Sequence, residues 1–469
     1  MAIMDIKDNK LRIHFIGIGG AGMGAIASIL LDRGFPVSGS DVAEHDYTKK
    51  LQERGARVYL GHDKSHIEDV DVVVYSTAIT SDNEELQAAR DRELPVLHRS
   101  QMLAELMKEG YGIAIAGAHG KTTTTSMVAW VLEQAGLDPT FLVGGVSANF
   151  NLSAKAGKGK HIVAEADESD GSFLNYNPMI EVVTNIEADH LEHYQGSFAN
   201  LVAAYQKFVS LLPEDGLLVA SMDDEIVEGL VPDLHSRVKT YSLHHKEADY
   251  RAENVRFVGH GTVSSIYHHH EYLGELELMI PGAHNVGNAM AAIAVASEVG
   301  IDFSVAAKAL KEFRGALRRF QVLYDRDDIL LVDDYAHHPT EIKAMIRAAK
   351  ETKRRVVAVF QPQRYTRTYQ LFEEFAQAFS GADDVIIVDI YSPAGERPIE
   401  GVSAKRLAEA VHQKSHAGAR FYATKDEVVE YLRDRVKPGD LVLFMGAGDI
   451  WKAGKMLAQQ LETESTRLG

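Results

Sequence analysis

The run Ile113-Ala114-Ile115-Ala116-Gly117-Ala118-His119-Gly120-Lys121-Thr122-Thr123-Thr124-Thr125 constrains the fold of this chain more than any other stretch. An apolar strand feeds a tight glycine turn, and a lysine and a hydroxyl residue open an amphipathic helix. Polyphosphate needs such a device: backbone N–H groups at a helix N-terminus facing the anion, with a mobile ammonium for the outer phosphates. A Thr hydroxyl directly after the lysine is the usual first handle on Mg²⁺. The spacing departs from G-x-x-x-x-G-K-[ST], because Gly117 stands only three residues before Gly120. A glycine turn with a surface lysine is the bland alternative. The strand before, the helix after and the Thr run at the junction favour a phosphate loop.

Around this loop the chain divides into α/β units. Arg12–Gly17 alternates as a strand, and Gly17-Ile18-Gly19-Gly20-Ala21-Gly22-Met23-Gly24 opens a helix. Strands are predicted at Val37–Asp41, Asp71–Ser76 and Pro95–His98, with a helix over Gln101–Lys108. Apolar strands alternating with helices predict a parallel sheet covered on both faces. This first unit closes near residue 108. The second, 109–315, has strands at His161–Ala166, Ile180–Asn185 and Gly216–Ala220. Hairpins follow over 248–282, then helices Asn285–Glu298 and Ser304–Phe313. The third, 316–469, has strands at Ile329–Asp334, Arg355–Phe360, Asp384–Asp389 and Asp440–Met445. Three closely joined α/β units fit the roughly two to four domains expected of 469 residues.

The loop Gly17–Gly22 holds G-x-G-x-x-G between a strand and a helix, the context for pyrophosphate binding. Asp41 stands 19 residues after Gly22, where an acidic ribose-binding residue would sit. That pattern alone also suits a nicotinamide dehydrogenase or a structural turn. A second, distinct phosphate loop at Gly117–Thr123 points instead to a protein that binds two phosphorylated molecules.

Polar residues collect at strand ends. In Glu165-Ala166-Asp167-Glu168-Ser169-Asp170, a strand-end carboxylate beside a phosphate loop is a natural Mg²⁺ ligand. Glu165 is assigned that role, and the other acids are expected in a solvated turn. In Thr184-Asn185-Ile186-Glu187-Ala188-Asp189-His190, His190 could be a core histidine, but its place one strand after the acidic run favours a metal ligand. Arg318 and Arg319 stand at a unit junction, where two guanidiniums suit a clamp on transferring phosphate. Asp333-Asp334-Tyr335-Ala336-His337-His338-Pro339-Thr340-Glu341 ends a strand and starts a helix, with Thr340 a candidate N-cap. Arg364 and Arg367 follow the next strand and could hold a small carboxylate. His268-His269-His270 falls in an alternating hairpin, cannot all chelate one ion, and is expected at the surface.

A net charge of −18 argues against broad nucleic-acid or anionic-membrane binding. There is no cysteine, which excludes disulfides, thiolate catalysis and Cys-ligated zinc and fits a reducing cytoplasm. No apolar run reaches the ~18 residues of a spanning helix, and the polar opening MAIMDIKDNK does not resemble a signal peptide.

Taken in order, GIGGAGMG, GSD, AGAHGKTTTT, EADESD, TNIEADH, PGAHNVGNA, RRF, DDYAHHPTE, FQPQRYTRT and YSPAGE resemble the Mur ligase family over nearly the whole chain. The resemblance implies a Rossmann-like uridine-nucleotide domain, a central P-loop ATPase domain with a mostly parallel sheet, and a Rossmann-like C-terminal domain. It implies a cytoplasmic branch of the family that joins UDP-N-acetylmuramate to L-alanine with ATP, giving ADP and phosphate, with Mg²⁺ (two ions) as cofactor. No nucleic-acid partner or membrane insertion is expected, and the chain is expected as monomer or homodimer. Residue by residue, Gly117, Ala118, His119, Gly120, Lys121, Thr122 and Thr123 match the ATP loop, and Lys121, His190 and Arg319 the catalytic positions. Thr122, Glu165 and His190 match metal ligands. Asn288, Arg318, Arg319 and Asp334 match ATP contacts. Gly19, Gly20, Ala21, Gly22, Met23, Gly24, Ser40, Asp41, Ser76, Thr77, Ala78, Ile79 and Arg99 match the uridine-nucleotide region, and Tyr335, His337, Arg364 and Arg367 the L-alanine site.

Three positions distinguish the chain within the resemblance. Ala118 replaces a commoner Thr where mainly backbone acts, and Gln363 replaces the His of FQPHR. Later-step relatives carry a carbamylated lysine fifteen residues after the matching histidine; here Tyr205 stands there, with Lys207 two residues on. Competing expectations are a recycling ligase that attaches a ready-made tripeptide to the same sugar nucleotide, a nicotinamide dehydrogenase, and a non-enzymatic nucleotide switch. The last two leave the phosphate loop or its acid and histidine neighbours idle.

Overall fold

The computed structural model describes residues 9–259, 261–392 and 396–468. The opening residues 1–8, expected to carry no signal peptide, and Pro393–Gly395 of the YSPAGE motif lie outside the described residues. The chain up to Asn254, with Ser264–Leu276 and Val286–Phe313, forms one compact unit; Val255–Val263, Glu277–Asn285 and the chain from Arg314 form a second.

Apolar runs at its centre, Ile13–Ile16 and Val72–Tyr75, give the first sheet the buried strands that parallel pairing under helices requires. Its strands are β1 (Ile13–Ile16), β2 (Val37–Asp41), β3 (Arg57–Leu60), β4 (Val72–Tyr75) and β5 (Val96–His98). All pair in parallel in the order β3-β2-β1-β4-β5. The order reverses between β1 and β4, and ligand crevices open at the carboxyl ends of strands at such a switch point. The Gly17–Gly24 loop leaves β1 and Ser76–Ile79 leaves β4, so both predicted stretches meet there.

The next ten strands form one sheet: β6 (Tyr111–Ala116), β7 (Thr140–Ser147), β8 (Leu152–Lys155), β9 (His161–Glu165), β10 (Ile180–Val183), β11 (Leu217–Ser221), β12 (Arg237–Ser242), β13 (Tyr250–Val258), β14 (Gly261–His268) and β15 (Glu271–Leu278). At its centre β6 lies between β10 and β9, parallel to both, with Ala116 opposite Val183 and Ile115 opposite Glu165. Three polar strand ends, after Ala116, Glu165 and Val183, therefore emerge side by side.

In the second unit β16 (Gln321–Arg326) runs antiparallel to β17 (Ile329–Asp334). The strands β18 (Arg355–Phe360), β19 (Asp384–Val388), β20 (Arg420–Tyr422) and β21 (Asp440–Met445) complete a sheet in the order β16-β17-β21-β18-β19-β20. The strands β17, β18 and β21 coincide with their predicted bounds. Among the strands not predicted, β3, β8, β16 and β20 stand at sheet edges, where half-exposed residues give neither a continuous apolar run nor strict alternation.

Three sequence expectations are corrected. The helix after the phosphate loop, Lys121–Gln134, is not amphipathic: Thr123–Ala129, Val131 and Leu132 are all buried. The sheet covers one side, and on another the Trp130 indole donates to the Ala309 carbonyl at 2.9 Å. The helix Pro339–Glu351 is capped by His338 rather than Thr340, with Pro339 in its first turn and Glu341 completing a reciprocal capping box. Proline supplies no N–H there and presets the helical φ, which moves the cap one residue before it. The histidine triplet is not wholly within a strand. His268 ends β14 and His269, at φ 51°, begins the turn, although His269 and His270 are exposed as expected.

Glu181 in β10 is fully buried, and neither carboxylate oxygen has a hydrogen-bond partner. Burial holds its pKa far above the ordinary carboxylate value. Glu181→Met keeps the length and removes that burden, and it should raise urea-measured stability at pH 8 by about 1–3 kcal/mol. A neutral or destabilising result would show that the carboxyl has a compensating partner.

Candidate active site

The phosphate loop holds its shape through backbone that only glycine accommodates and through two polar residues at the end of β10. Gly117 has φ 135°, and an added Cβ would stand 2.0 Å from the Thr184 hydroxyl. Gly120, at φ 85°, caps the following helix, and its Cβ would meet Asn288 Oδ1 at 2.7 Å. That places Asn288 against the loop. Ala118 N donates to the Asn185 carbonyl at 3.0 Å and His119 N to Asn185 Oδ1 at 2.8 Å. In return the His119 carbonyl accepts from Thr184 Oγ1 at 2.6 Å and Asn185 Nδ2 at 2.9 Å. Thr184 and Asn185 thus shape the loop, a role that no motif in the sequence assigns to them. The His119 ring lies 3.3 Å from Glu187 Oε2.

Lys121 curls over this turn. Its ammonium donates to the Gly117 carbonyl and lies 2.9 Å from both oxygens of Glu168. Burial alone would lower the Lys121 pKa, but the charges of Glu168 and Asp167 and the hydrogen bond to Glu168 outweigh it and hold the ammonium above its usual range. Lys121 is therefore charged where a polyphosphate would sit. Glu168 is only 3% exposed. The expected solvated turn is thus corrected: tertiary packing buries Glu168 and gives Asp167 and Asp170 cationic or hydroxyl partners.

Glu165 Oε1 accepts from Gly144 N at 2.5 Å, and the nearby Thr122 hydroxyl helps to draw the carboxyl pKa down. Burial pushes its pKa up against the pull of Gly144, Lys121 and Thr122. A hydroxyl and a carboxylate held together beside a buried ammonium form a hard oxygen-donor pair, which fits Mg²⁺. His190, at φ 54°, begins the turn Leu191–Tyr194, with its ring 3.6 Å from Asp189 Oδ2 and 3.7 Å from Glu192 Oε1. The Tyr194 hydroxyl ties this turn to the Glu168 carbonyl at 2.5 Å. Tyr205, at the place of the relatives' modified lysine, is buried with its ring 5.3 Å from that of Phe173.

The second cradle lies in the same unit. Gly17, at φ 83°, and Ile18 both donate to the Ser40 carbonyl, at 2.8 and 3.1 Å. Gly19 N donates to Asp41 Oδ2 at 2.8 Å. A Cβ on Gly17 would stand 3.3 Å from Ile79 and 3.7 Å from Ser76 Oγ, so the two loops of the switch point are in contact. Gly20 caps the helix Ala21–Asp32, which starts with Ala21, Gly22, buried Met23 and Gly24. Ala78 is exposed on the rim. The Ser40 side chain is fully buried and donates to Glu85 at 2.5 Å, so it shapes the loop from below. Arg99 forms ion pairs with Asp170 at 3.2 Å and Asp167 at 3.6 Å.

In the second unit the adjacent arginines diverge. Arg318 donates to Asp333 at 3.2 Å and to the carbonyls of Gly448 at 3.0 Å and Gly446 at 2.5 Å, which makes it a strut for the glycine loop after β21. Arg319 pairs with Glu341 at 3.2 Å. Both lie over the Tyr335 ring, at 4.9 and 5.4 Å. Asp334 clips two backbone N–H groups, Phe320 at 2.7 Å and Ala336 at 2.8 Å, while burial pushes its pKa up to about 6. His337 faces Glu341, Arg367 and Arg319; burial lowers its pKa to about 4, with the two arginines adding to that. Its Nδ1 lies 2.9 Å from the Tyr335 carbonyl. Gln363, the departure from FQPHR, accepts from Arg367 Nη1 at 3.0 Å and so orients that guanidinium. Arg364 is exposed at φ 69°, capping the helix Tyr365–Gln370. Glu396, to which the sequence reading gave no role, closes this loop by accepting from Tyr365 N, Thr366 and Ser392.

Three family models match the chain in order: Mur ligase family, catalytic domain, over residues 12–111; Mur ligase middle domain over 115–296; and Mur ligase, glutamate ligase domain, over 318–448. The chain belongs to the Mur ligase family. It is 50% identical over 98% of its length to all of a UDP-N-acetylmuramate–L-alanine ligase from Pelotomaculum thermopropionicum. It is 48% identical over 97% of its length to 95% of one from Symbiobacterium thermophilum. Its fold matches the crystal structure of the UDP-N-acetylmuramate-alanine ligase from Thermotoga maritima with a TM-score of 0.80, at 30% identity, over 97% of this chain and 100% of that one. A murein peptide ligase from Psychrobacter arcticus matches at TM-score 0.68 and 26% identity, over 96% and 98% of the two chains.

The pKa of His337 supplies a test of its surroundings. Its folded value of about 4 lies below the ~6.5 of an unfolded histidine, so folding becomes less favourable as pH falls through that window. Asp334, raised to about 6, contributes the opposite slope below that pH and partly masks the effect in the wild type. The stability difference between wild type and His337→Gln, from urea unfolding, should therefore shrink by about 2 kcal/mol between pH 7 and 5. A difference independent of pH would mean that His337 is not held neutral.

Proposed function

We propose that this chain is an ATP-dependent ligase that forms an amide between the lactyl carboxylate of UDP-N-acetylmuramate and L-alanine, releasing ADP and phosphate in peptidoglycan precursor synthesis. The observation that carries this reading is the buried, charged Lys121 on a glycine turn, beside the paired Thr122 and Glu165. The whole-length likeness to alanine-adding ligases supports the choice of substrates. The first 108 residues take the sugar nucleotide, residues 109–315 take ATP, and residues 316–469 take L-alanine.

The lactyl carboxylate oxygen attacks the γ-phosphorus of ATP, ADP leaves, and an acyl phosphate forms. The alanine nitrogen then attacks the acyl carbon, the amine proton is lost to solvent, and phosphate departs from the tetrahedral intermediate. No protein nucleophile is needed, so the chain's work is positioning and neutralisation of charge. Lys121 supplies a fixed positive charge to the outer phosphates, and the loop amides from Gly120 to Thr123 line the inner ones, those of Ala118 and His119 being taken by Asn185. Thr122 and Glu165 would hold one Mg²⁺ and His190 a second, and such ions would supply positive charge against the phosphate oxygens. Arg319 is the guanidinium assigned to the transferring phosphate, because Arg318 is occupied with backbone carbonyls. Arg367, set by Gln363, and exposed Arg364 take the alanine carboxylate, with Tyr335 and neutral His337 beside it. Gly19–Gly24, Asp41, Ser76–Ile79 and Arg99 hold the sugar nucleotide. We assign the reaction to the cytoplasm, in a monomer or homodimer; among the described residues no helix is long and apolar enough to cross a membrane.

Lys121→Ala should lower kcat by roughly a hundred- to a thousandfold while titration calorimetry still detects UDP-N-acetylmuramate. Retention of a tenth of the wild-type rate would remove Lys121 from its role. Release of ADP with UDP-N-acetylmuramate should depend on L-alanine and be poorly supported by a murein tripeptide. The reverse preference would make the chain a recycling ligase.

A further inference from the structure

Asp170 ends the acidic run at the carboxyl edge of the central sheet, yet its side chain serves residues that follow strands β4 and β5 of the first sheet. Its Oδ2 accepts from the Thr77 hydroxyl at 2.6 Å and from Arg99 Nη2 at 3.2 Å, and its Oδ1 accepts from Ser172 N at 3.0 Å. Burial works to raise its pKa, but the hydrogen bonds from Ser172 and Thr77 and the charge of Arg99 prevail and keep the group ionised. Asp167 stands 3.6 Å from the same Nη2.

The guanidinium is thereby split into two edges. One edge rests on carboxylates. Nη1 faces the glycine loop, since a Cβ added to Gly22 would meet it at 3.3 Å. Neither Nη1 nor Nε donates to a protein group among the described residues. A planar fork recognises phosphate bidentately only when its plane is fixed. Left untethered, its rotamer freedom would be lost on each binding event instead of during folding. Thr77 is fixed by the same carboxylate, with its hydroxyl also 3.0 Å from His98 Nε2.

We infer that Asp170 is a positioning residue for the sugar-nucleotide site: it holds Arg99 and Thr77 so that the open edge of the guanidinium addresses a pyrophosphate seated on the Gly17–Gly22 loop. The inference rests on assigning that loop to the sugar nucleotide. It explains why an acid near the ATP loop is spent on two residues of the other cradle. It also separates Asp170 from Glu168, whose partner is Lys121.

The test is calorimetric titration of UDP-N-acetylmuramate and of a non-hydrolysable ATP analogue into wild type, Asp170→Asn, Arg99→Lys and the double variant, with steady-state kinetics of each. Asp170→Asn should weaken the sugar-nucleotide Kd and raise its KM about tenfold, leaving kcat and the ATP-analogue Kd within about twofold. The double variant should lose less than the sum of the two single losses, because the carboxylate acts in large part through that guanidinium. An unchanged sugar-nucleotide Kd, equal losses for both nucleotides, or additive losses in the double variant would each overturn the proposal. Should Asp170→Asn not fold, Asp170→Glu decides: it keeps the charge but displaces it, and a wild-type Kd would overturn the proposal whereas selective weakening would support it. If the wild type itself does not bind the sugar nucleotide, the assignment of the loop falls, and this inference with it.

Discussion

A buried ammonium must keep a negative partner, and in this protein that requirement organises the centre of the larger unit. Lys121 is held by both oxygens of Glu168 and by the Gly117 carbonyl. Those contacts fix the distance between the first turn of one helix and the acidic run after β9. The turn between them has no freedom of its own, because Thr184 and Asn185 close four hydrogen bonds onto Ala118 and His119. Charge compensation and loop shape are therefore one arrangement. Breaking the ion pair from one side would leave a buried charge unmet, a cost of several kcal/mol.

The six residues Glu165–Asp170 show how a parallel sheet concentrates chemistry. Three neighbouring strand ends place Gly117, Glu165 and Thr184 at one edge, and the acids that follow face in different directions. Glu165 meets Gly144 and Thr122, Glu168 meets Lys121, and Asp167 and Asp170 meet Arg99. A short acidic stretch thus serves a phosphate loop, a candidate metal position and the neighbouring nucleotide cradle together. Each carboxylate has a cation or hydrogen-bond donor beside it, with Arg99 shared by Asp167 and Asp170, so mutual repulsion is offset locally instead of being screened by water.

The second unit distributes its charges differently. Arg318 is consumed by the glycine loop after β21, whereas Arg319 and Arg367 surround a histidine that burial keeps neutral. Glu341 and Asp334 set negative charge beside these cations. Glu341 ties the strand–helix turn together, since it accepts from His337 N, His338 N and Arg319.

Much of this was legible in the residues alone. Glycine pairs followed by a helix, a lysine next to threonines, and long apolar strands carry their own backbone and burial requirements, so the cradles, the parallel sheets and β17, β18 and β21 could be placed without coordinates. Edge strands such as β3 and β20 could not, because their half-exposed residues lack a period. Which acid of Glu165–Asp170 faces which cation, why Arg318 and Arg319 part company, and how Gln363 sets Arg367 were decided by tertiary structure. Adjacent residues with the same charge look equivalent along a chain. They become different only when strand register and turn direction give each one its own partner and its own share of burial.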